Sequence, residues 1–347
     1  MVNQSSNFLN MNIAFLYNVR HRYPDPKKPQ TLREADFDDP ETTELQIKYL
    51  KKLGYKVFPI EANEEAYFKL YRLKSKIDLV FNVSEGLHGN DREAQIPAML
   101  EMLQIPYTGS SPLAQAIVLN KSKAKEILIA NKIPTLPFQL FKSRNEKLNK
   151  SLNYPLMVKP VSEGSSAGIT NKSVVYNEAG LHKQVTYIEE TFGEQALVEP
   201  YLEGREFSIA MLGNPPQVLP ILESDHSMLP KKYMPFDSLE VKWFYEIATS
   251  GKHLKCPAKI NLVLEKKINK ICLDLWNAIG IRDWCRIDIR CDKKENPYVL
   301  EVNSPPGCTP PEHDPASYFP LIARSIGIDY ENLLKMIIET ALKRYKK

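Results

Sequence analysis

Four polar side chains alternate with apolar residues late in the chain. Arg286 and Asp288 lie in one such segment, and Glu301 and Asn303 lie in the next, after a short polar turn. This alternation predicts two strands of one hairpin. Because side chains two apart on a strand share a face, the four groups are expected to converge. Two carboxylates and an amide oxygen suit Mg²⁺, which completes its coordination with water and phosphate oxygens. The pattern indicates a nucleotide-triphosphate site.

A second stretch carries groups that suit phosphate. Lys159 ends an apolar segment and precedes a loop that contains Gly164, Ser165 and Ser166. Small residues let backbone N–H groups approach an anion closely. Lys121, at the predicted start of a helix, is either a further cation for phosphates or a solvated lysine. A plain β-turn is the alternative for the loop, as a surface hairpin that only exposes charge is the alternative for the strands.

Composition limits the class of protein. The chain has 347 residues, of which 43% are hydrophobic and 25% charged, as expected for a soluble enzyme of two or three domains. A net charge of +4 is too small for a nucleic-acid footprint. The five cysteines show neither metal-ligand spacing nor a disulfide framework, which favours a reducing compartment. With no export signal at the start and no membrane-length apolar run, the expectation is a cytoplasmic protein without membrane or nucleic-acid partners.

The pattern of elements predicts an α/β protein. From Asn12 to about Ser110 apolar strands alternate with amphipathic helices, which is typical of a doubly wound parallel sheet. We predict an N-terminal domain at 1–114, a central domain at 115–205 and a C-terminal domain at 206–347. Residues 222–259 are rich in Pro, Lys, Ser and Asp and have no sustained period. This segment is interpreted as a mobile lid, with a disordered insertion as the alternative.

The order of motifs resembles the D-alanine–D-alanine ligases of the ATP-grasp superfamily, from residue 105 to about residue 334. The shared motifs are Ile-Pro-Tyr-Thr-Gly (105–109), Asn-Lys-x-x-x-Lys (120–125), Val-Lys-Pro-x-x-x-Gly-Ser-Ser-x-Gly (158–168), Val-Glu-Pro-Tyr-Leu-x-Gly-Arg-Glu (198–206), Glu-Val-Lys (240–242), Cys-Pro-Ala (256–258), Arg-Ile-Asp (286–288) and Glu-Val-Asn-Ser-x-Pro-Gly (301–307). The resemblance implies an ATP-grasp fold, in which the doubly wound domain precedes central and C-terminal α+β domains that enclose ATP. It also implies a homodimer.

The resemblance assigns the triphosphate to a set of cations and hydroxyls. It implies that Lys121 and Lys159 contact phosphates, that Ser165 and Ser166 belong to a loop that closes on them, and that Lys242 reaches the triphosphate from the lid.

The base and the ribose are assigned in the same way. Glu199 would bind the adenine amino group beside the backbone of Tyr201 and Leu202, and Glu206 would bind the ribose.

Metal and catalytic roles follow from the hairpin motifs. The resemblance implies that Asp288, Glu301 and Asn303 hold two Mg²⁺ ions, with Mn²⁺ as an alternative ion. Arg286 and the backbone N–H of Gly307 would stabilise the tetrahedral intermediate. Together with the loop serine at 165 and the lid lysine at 242, these two complete the catalytic set.

The amino-acid side departs from the family pattern. The glutamate that follows the first strand in the family has no counterpart here, and His88 aligns with the family histidine only across a gap. Trp243 stands where the family has tyrosine and lacks a hydroxyl. By count, Glu312 stands where a serine binds the second substrate's carboxylate.

These departures suggest altered substrates. A carboxylate at position 312 would suit a cationic acceptor, and Arg20 or Arg22 would hold an acidic donor, with solvated loop charges as the alternative. The expected activity is an ATP- and Mg²⁺-dependent ligase that joins small amino-acid-like substrates through an acyl phosphate. A true D-alanine–D-alanine ligase, a nucleotide-binding protein without ligase activity and a kinase that stops at the acyl phosphate are the alternatives.

Overall fold

A parallel sheet begins the fold. The structure, a computed structural model, describes residues 10–25 and 28–346. The predicted absence of an export signal falls largely on residues 1–9, which lie outside the described residues. In the first sheet the strand order is β2-β1-β3 and every pairing is parallel. Its elements are β1 (Asn12–Tyr17), α1 (Pro40–Lys52), β2 (Lys56–Glu61), α2 (Ala66–Leu73), β3 (Leu79–Asn82) and α3 (Gln95–Leu103).

Both faces of this sheet are covered. Ile13 and Phe15 of β1 pack on the side of α1, whereas Ala14 and Leu16 pack on the side of α2 and α3. Alternate residues of a strand point to opposite faces, so two layers of helix are needed to bury them all. The doubly wound arrangement predicted from the sequence is confirmed.

Two helices lead out of the first sheet. α4 (Pro112–Leu119) is capped by Ser111, whose hydroxyl accepts from the N–H of Ala114 over 3.3 Å. α5 (Lys121–Ala130) follows at once, and the side chain of Asn120 accepts from the N–H of Lys123 over 3.2 Å. This cap fixes the start of α5 and with it the position of Lys121 in the first turn.

A second, antiparallel sheet has the order β4-β7-β5-β6. Helix α6 packs its apolar face, with Leu181 and Val185, against Val158 and Val198 of the sheet. The bounds are β4 (Gln139–Phe141), β5 (Leu156–Pro160), β6 (Val174–Val175), α6 (Glu178–Phe192) and β7 (Ala196–Pro200). Lys159 lies near the end of β5, as the sequence predicted.

The third sheet is antiparallel with the order β10-β9-β8-β11-β12. Trp284 of β11 is fully buried and meets the ring of Phe319 edge-on, with 5.3 Å between centroids. Both residues belong to a core that also contains Phe15 of the first sheet, so the end of the chain packs against its beginning. The bounds are β8 (Glu206–Gly213), β9 (Pro216–Ser224), α7 (Ile247–Thr249), β10 (Leu254–Lys255), α8 (Leu262–Ile279), β11 (Trp284–Cys291), β12 (Pro297–Asn303), α9 (Tyr318–Arg324) and α10 (Tyr330–Tyr345).

The segment 222–259, which we call the lid segment, is more regular than its composition predicts. Its first residues complete β9, a π-helical turn spans Val241–Glu246, and α7 and β10 follow. The turn holds Lys242 and Trp243 on one short helical stretch. Within the described part of the chain, no helix combines the length and the apolar character needed to cross a membrane.

Candidate active site

The paired strands β11 and β12 bring the four polar groups of the hairpin together. Arg286 lies opposite Asn303, and Asp288 lies opposite Glu301. Asp288 accepts hydrogen bonds from Arg286 Nη2 over 2.9 Å and from Asn303 Nδ2 over 3.0 Å. On the next strand, the hydroxyl of Ser208 donates to Asp288 over 2.6 Å. The cluster predicted from spacing therefore exists on one face of the sheet.

Asp288 is held in its ionised form. Burial raises the pKa of this carboxyl, but Arg286, Lys242 and Ser208 together outweigh burial and leave the pKa below its ordinary value. Because the Asn303 amide donates its N–H to Asp288, its oxygen is left for another partner. Two carboxylates and this amide oxygen form a hard donor set that fits Mg²⁺.

Lys121 is buried and contacts the same hairpin. It is 5% exposed, and its Nζ lies 3.6 Å from Glu301 Oε2. The same nitrogen donates to the backbone carbonyl of Glu163. The alternative of a solvated lysine is therefore wrong.

Two lysines enclose Glu199. Lys159 Nζ and Lys125 Nζ each lie 2.6 Å from one of its carboxylate oxygens, and Glu199 is 1% exposed. Burial raises the pKa of Glu199, but the two ammonium groups bring it below its ordinary value. Lys125 was not assigned a role from the sequence, although it lies one helical turn from Lys121 on α5, the spacing that places two side chains on one face.

A cavity of about 70 Å³ lies between the second and third sheets, and we call it the inter-sheet cavity. Seven of the nine residues predicted to bind the nucleotide line it: Lys159, Ser166, Glu199, Tyr201, Leu202, Glu206 and Lys242. The other two, Lys121 and Ser165, line a neighbouring cavity. The structure thus places the predicted nucleotide residues around two neighbouring cavities, which together are called the cleft.

Glu206 has a cationic partner that was not predicted from the sequence. Arg290 Nη1 donates to Glu206 over 2.6 Å, and its guanidinium lies 5.2 Å from the ring centre of Tyr201.

Glu206 also belongs to a cluster of side chains that could in principle bind a metal ion. Potential metal-binding atoms of Glu206, His226 and Asp237 lie within 4.8 Å of one another. Since Glu206 is paired with arginine and Asp237 accepts from His226 over 2.7 Å, these groups form a hydrogen-bonded network that is distinct from the predicted metal cluster.

The second cavity, of about 440 Å³, has charged walls and is called the polar cavity. All four residues predicted to be catalytic line it: Ser165, Lys242, Arg286 and Gly307. Lys242 also lines the inter-sheet cavity, so it stands where the two cavities meet. A group transferred from one cavity to the other would pass this lysine.

The Gly-Ser loop (residues 162–168) contributes residues to the walls of both cavities and has a strained backbone. Ser165 and Ser166 have φ of +44° and +58°, a region that residues with side chains rarely adopt. Ser166 Oγ donates to the backbone carbonyl of Asp237 over 2.8 Å, and Trp243 Nε1 donates to that of Ser165 over 3.1 Å. Both partners belong to the lid segment, so lid and loop are joined.

The structure places Glu312 away from the polar cavity and corrects its assignment. Its carboxylate accepts from the hydroxyl of Tyr49 and lines a separate shallow depression. The chain turns between Thr309 and Ser317, and the hydroxyl of Ser317 accepts from the N–H of Thr309 over 3.1 Å. Counting from Pro-Gly ignores this turn. A serine, Ser317, does line the polar cavity.

The assignment of His88 is also corrected. Its side chain is 82% exposed and lies 3.8 Å from Glu64, outside both cavities. Glu85, three residues earlier, lines the polar cavity instead. Burial raises the pKa of Glu85 well above its ordinary value, and the charge of Glu93 adds to this shift.

Of the two arginines proposed for an acidic donor, one lines the polar cavity and the other does not. Arg20 lines the polar cavity, but it donates to the backbone carbonyl of Phe37 over 2.9 Å and contacts Asp39 at 3.4 Å. Arg22 is exposed and lies outside both cavities. Acidic side chains outnumber basic ones in the walls of the polar cavity, and burial raises the pKa of Asp38, Glu85 and Glu93. A positively charged ligand group would favour the ionised forms of these carboxyls.

Comparisons with known proteins agree on one family. The sequence model of the family described as "D-ala D-ala ligase C-terminus" matches residues 127–339. A D-alanine–D-alanine ligase of Aquifex aeolicus is 32% identical over 302 residues, which cover 86% of this chain and 93% of that protein. An uncharacterized protein of Sinorhizobium fredii is 32% identical over 333 residues, or 94% and 93% of the two chains.

A solved structure supports the same relationship. The D-alanine–D-alanine ligase from Bacillus anthracis complexed with ATP is 26% identical, with a TM-score of 0.71 over 97% of this chain and 99% of that chain. The predicted ATP-grasp fold is confirmed.

Proposed function

Because the chain belongs to the D-alanine–D-alanine ligase family of ATP-grasp proteins, we propose that it is an ATP- and Mg²⁺-dependent ligase that joins a carboxylate to an amine. One observation carries the proposal. Strands β11 and β12 gather Arg286, Asp288, Glu301 and Asn303 on one sheet face beside both cavities. We also propose the domain limits 1–114, 115–205 and 206–347, which follow from the order of the motifs.

ATP is proposed to bind in the cleft that contains the inter-sheet cavity. Lys159, Lys121 and Lys242 would contact its phosphates, and the backbone N–H groups of the Gly-Ser loop would add donors. Tyr201 and Leu202 would lie at the adenine and Glu206 at the ribose. The support is that seven of the nine predicted residues line this cavity. The relative from Bacillus anthracis, which has the same fold, was solved in complex with ATP.

Asp288, Glu301 and Asn303 are proposed to hold Mg²⁺. The fit rests on chemistry that the structure contains: two carboxylates, one of them held ionised by Arg286, and an amide oxygen that Asn303 does not use toward Asp288. Bound there, the metal would neutralise charge on the phosphates.

Side-chain and backbone groups that line the polar cavity are proposed to assist the two bond-forming steps. A substrate carboxylate attacks the γ-phosphate, which gives an acyl phosphate and ADP. An amine then attacks the acyl carbon, phosphate leaves, and the C–N bond forms. Arg286 and the N–H of Gly307 would stabilise the negative oxygen of the tetrahedral intermediate. The contact between Trp243 and Ser165 would keep water from the acyl phosphate.

The substrates are proposed to be small amino-acid-like molecules other than D-alanine alone. The support is the acidic wall of the polar cavity, which includes Asp38, Glu85 and Glu93 and exceeds what one substrate ammonium group requires.

Synthesis of D-alanyl-D-alanine is the second candidate. Ser317 favours it, because a serine hydroxyl and Arg286 on one cavity wall would suit the carboxylate of an acceptor amino acid. Relatives such as the protein from Aquifex aeolicus are named D-alanine–D-alanine ligases.

The test is phosphate release from ATP with a panel of amino acids, combined with mass spectrometry of the product. A dipeptide or amide formed with equimolar phosphate supports the ligase. Strong turnover with D-alanine alone selects the second candidate. Formation of ADP with a carboxylate and no amine, with the phosphate retained in an acyl phosphate, would indicate a kinase, and ATP binding without any turnover would indicate a nucleotide-binding protein. A homodimer and a cytoplasmic location are further proposals from the family, testable by light scattering and cell fractionation.

A further inference from the structure

Two side chains from the first part of the chain hold the Gly-Ser loop on its polar-cavity side. Arg92 donates from Nη1 to the backbone carbonyl of Ser162 over 3.0 Å and from Nη2 to the carboxylate of Glu163 over 3.3 Å. Asp36 accepts from Arg92 Nη2 over 3.3 Å and from the N–H of Gly164 over 3.1 Å. Three successive loop residues are thus bonded to side chains at least 70 residues earlier in the sequence.

This contact is buried and charged. Arg92 is 7% exposed, and the side chains of Asp36 and Glu163 are 10% and 9% exposed. One guanidinium serves both carboxyl groups, so removing it would leave two buried acidic groups beside each other without their charged donor. The arrangement tolerates little movement of the loop.

Glycines at two positions allow close contacts that a side chain would prevent. A Cβ on Gly164 would lie 2.4 Å from Asp36 Oδ1, and a Cβ on Gly86 would lie 2.3 Å from the backbone oxygen of Arg92. Both distances are shorter than a methyl group can have to an oxygen. Gly86 also has φ of +74°, which suits glycine. The loop is therefore fitted closely to Asp36, and the turn at Gly86 is fitted closely to the backbone of Arg92.

The lid segment holds the other half of the same loop. Trp243 binds the carbonyl of Ser165, and the hydroxyl of Ser166 binds the carbonyl of Asp237. The upstream region thus holds residues 162–164 and the lid segment holds residues 165–166. The strained backbone of the two serines lies where these two sets of contacts meet.

We infer that Arg92 and Asp36 are positioning residues that set the Gly-Ser loop in the conformation that receives the phosphates of ATP. The inference rests on the proposed ATP site. Neither side chain lines the inter-sheet cavity, so both act through the loop and not by contact with the nucleotide there. The loop's place in the cleft then depends on the N-terminal sheet domain as well as on the lid.

The experiment measures the affinity for Mg-ATP by calorimetry, in the wild type, Arg92→Ala and Arg92→Lys. We expect the dissociation constant of Arg92→Ala to be raised about tenfold or more, as for a lost set of charged hydrogen bonds. Arg92→Lys restores part of the affinity, because lysine keeps the charge but cannot donate in two directions from a rigid fork. In turnover assays of Arg92→Ala, we expect the KM for ATP to rise and the KM for the amine to stay unchanged.

The matched control is Arg144→Ala, which removes an exposed arginine that is bonded to Glu190 over 3.0 Å. It should bind ATP as the wild type does. Gly164→Ala keeps every charge and displaces Asp36 through its Cβ, so it should weaken ATP binding as well, even if Arg92→Ala does not fold.

Wild-type affinity in a folded Arg92→Ala or in Gly164→Ala overturns the inference. If the wild type binds ATP but ligates no substrate, the proposed function fails and the positioning role is still judged by these affinities. If the wild type does not bind ATP, both fail.

Discussion

The indole nitrogen of Trp243 donates a hydrogen bond to the backbone carbonyl of Ser165 over 3.1 Å. A tryptophan at this position lacks the hydroxyl of a tyrosine, yet it still supplies a donor that joins the lid segment to the Gly-Ser loop. The guanidinium of Arg20 lies 4.7 Å from the centre of the indole ring and supports its orientation. The indole therefore supplies a lid-to-loop contact without a hydroxyl group.

Replacing the indole tests this contact. Trp243→Phe keeps an aromatic ring under Arg20 but removes the donor, and a single hydrogen bond contributes about 0.5–1.5 kcal/mol. We expect the KM for ATP to rise about threefold to tenfold, measured by phosphate release. Phe244→Leu is the control, because Phe244 is adjacent and 46% exposed. An unchanged KM in Trp243→Phe would show that the bond does not hold the loop.

The metal site makes a second prediction. Asp288→Asn removes a negative charge that Arg286 and Ser208 position, so we expect activity to fall about a hundredfold and the Mg²⁺ concentration for half-maximal rate to rise. Glu301→Gln should act in the same direction. Asp274→Asn, at an exposed residue of α8 paired with Lys270, is the control. If the Mg²⁺ dependence of Asp288→Asn matches the wild type, the metal assignment is wrong.

Sequence patterns with a fixed geometry were predicted well. The alternation in β11 and β12 determines which side chains share a face, and the pairing of Asp288 with Glu301 follows from it. The position of Lys159 near the end of β5 was likewise predicted from the sequence, because an apolar run before Lys-Pro is typical of a strand end.

Features that depend on distant contacts were not predicted. Glu312 was assigned by counting residues, which cannot detect the turn that brings Ser317 to the polar cavity. The role of Lys125 depends on Glu199, which lies 74 residues later in the sequence, at 2.6 Å in space. The contact of Arg92 with the Gly-Ser loop requires Gly164 to face Asp36, and nothing near either residue in the sequence indicates this.

The acidic walls of the polar cavity make a third prediction, on substrates. Glu85 and Glu93 line this cavity, and burial raises the pKa of both carboxyls, to about 8 for Glu93. An ammonium group bound beside them would favour their ionised forms and donate charged hydrogen bonds to them. A charged hydrogen bond contributes about 1.5–3 kcal/mol. We therefore expect amino acids with a second ammonium group, such as lysine or ornithine, to have a KM at least about tenfold lower than alanine.

Phosphate release across basic, neutral and acidic amino acids measures this preference. Glu93→Gln should reduce it, whereas Glu44→Gln, at an exposed residue of α1, should not. Equal KM values for lysine and alanine would exclude a cationic side-chain subsite without affecting the ligase assignment.

A fourth prediction concerns pH and stability. Burial raises the pKa of Asp38 from 3.8 to about 7, and the neighbouring charge of Asp39 adds to the shift, whereas Arg20 and His313 oppose it. Between these two values the folded protein holds a proton that the unfolded chain releases, so stability falls as pH rises through this window. Asp38→Asn has no such proton. We expect the wild type to lose more thermal stability than Asp38→Asn between pH 5 and pH 8, on the order of a few degrees in Tm.

Thermal unfolding of both proteins at the two pH values gives the difference between their Tm shifts. The titration of groups that do not interact with Asp38 cancels in this difference. Asp91→Asn is the control, because Asp91 is exposed and should shift as the wild type does. A cationic substrate should reverse the loss at pH 8, since it would offset the charge that Asp38 gains on ionisation. If wild type and Asp38→Asn lose the same stability, Asp38 ionises at its ordinary pKa. Burial would then not destabilise the ionised form of this carboxyl.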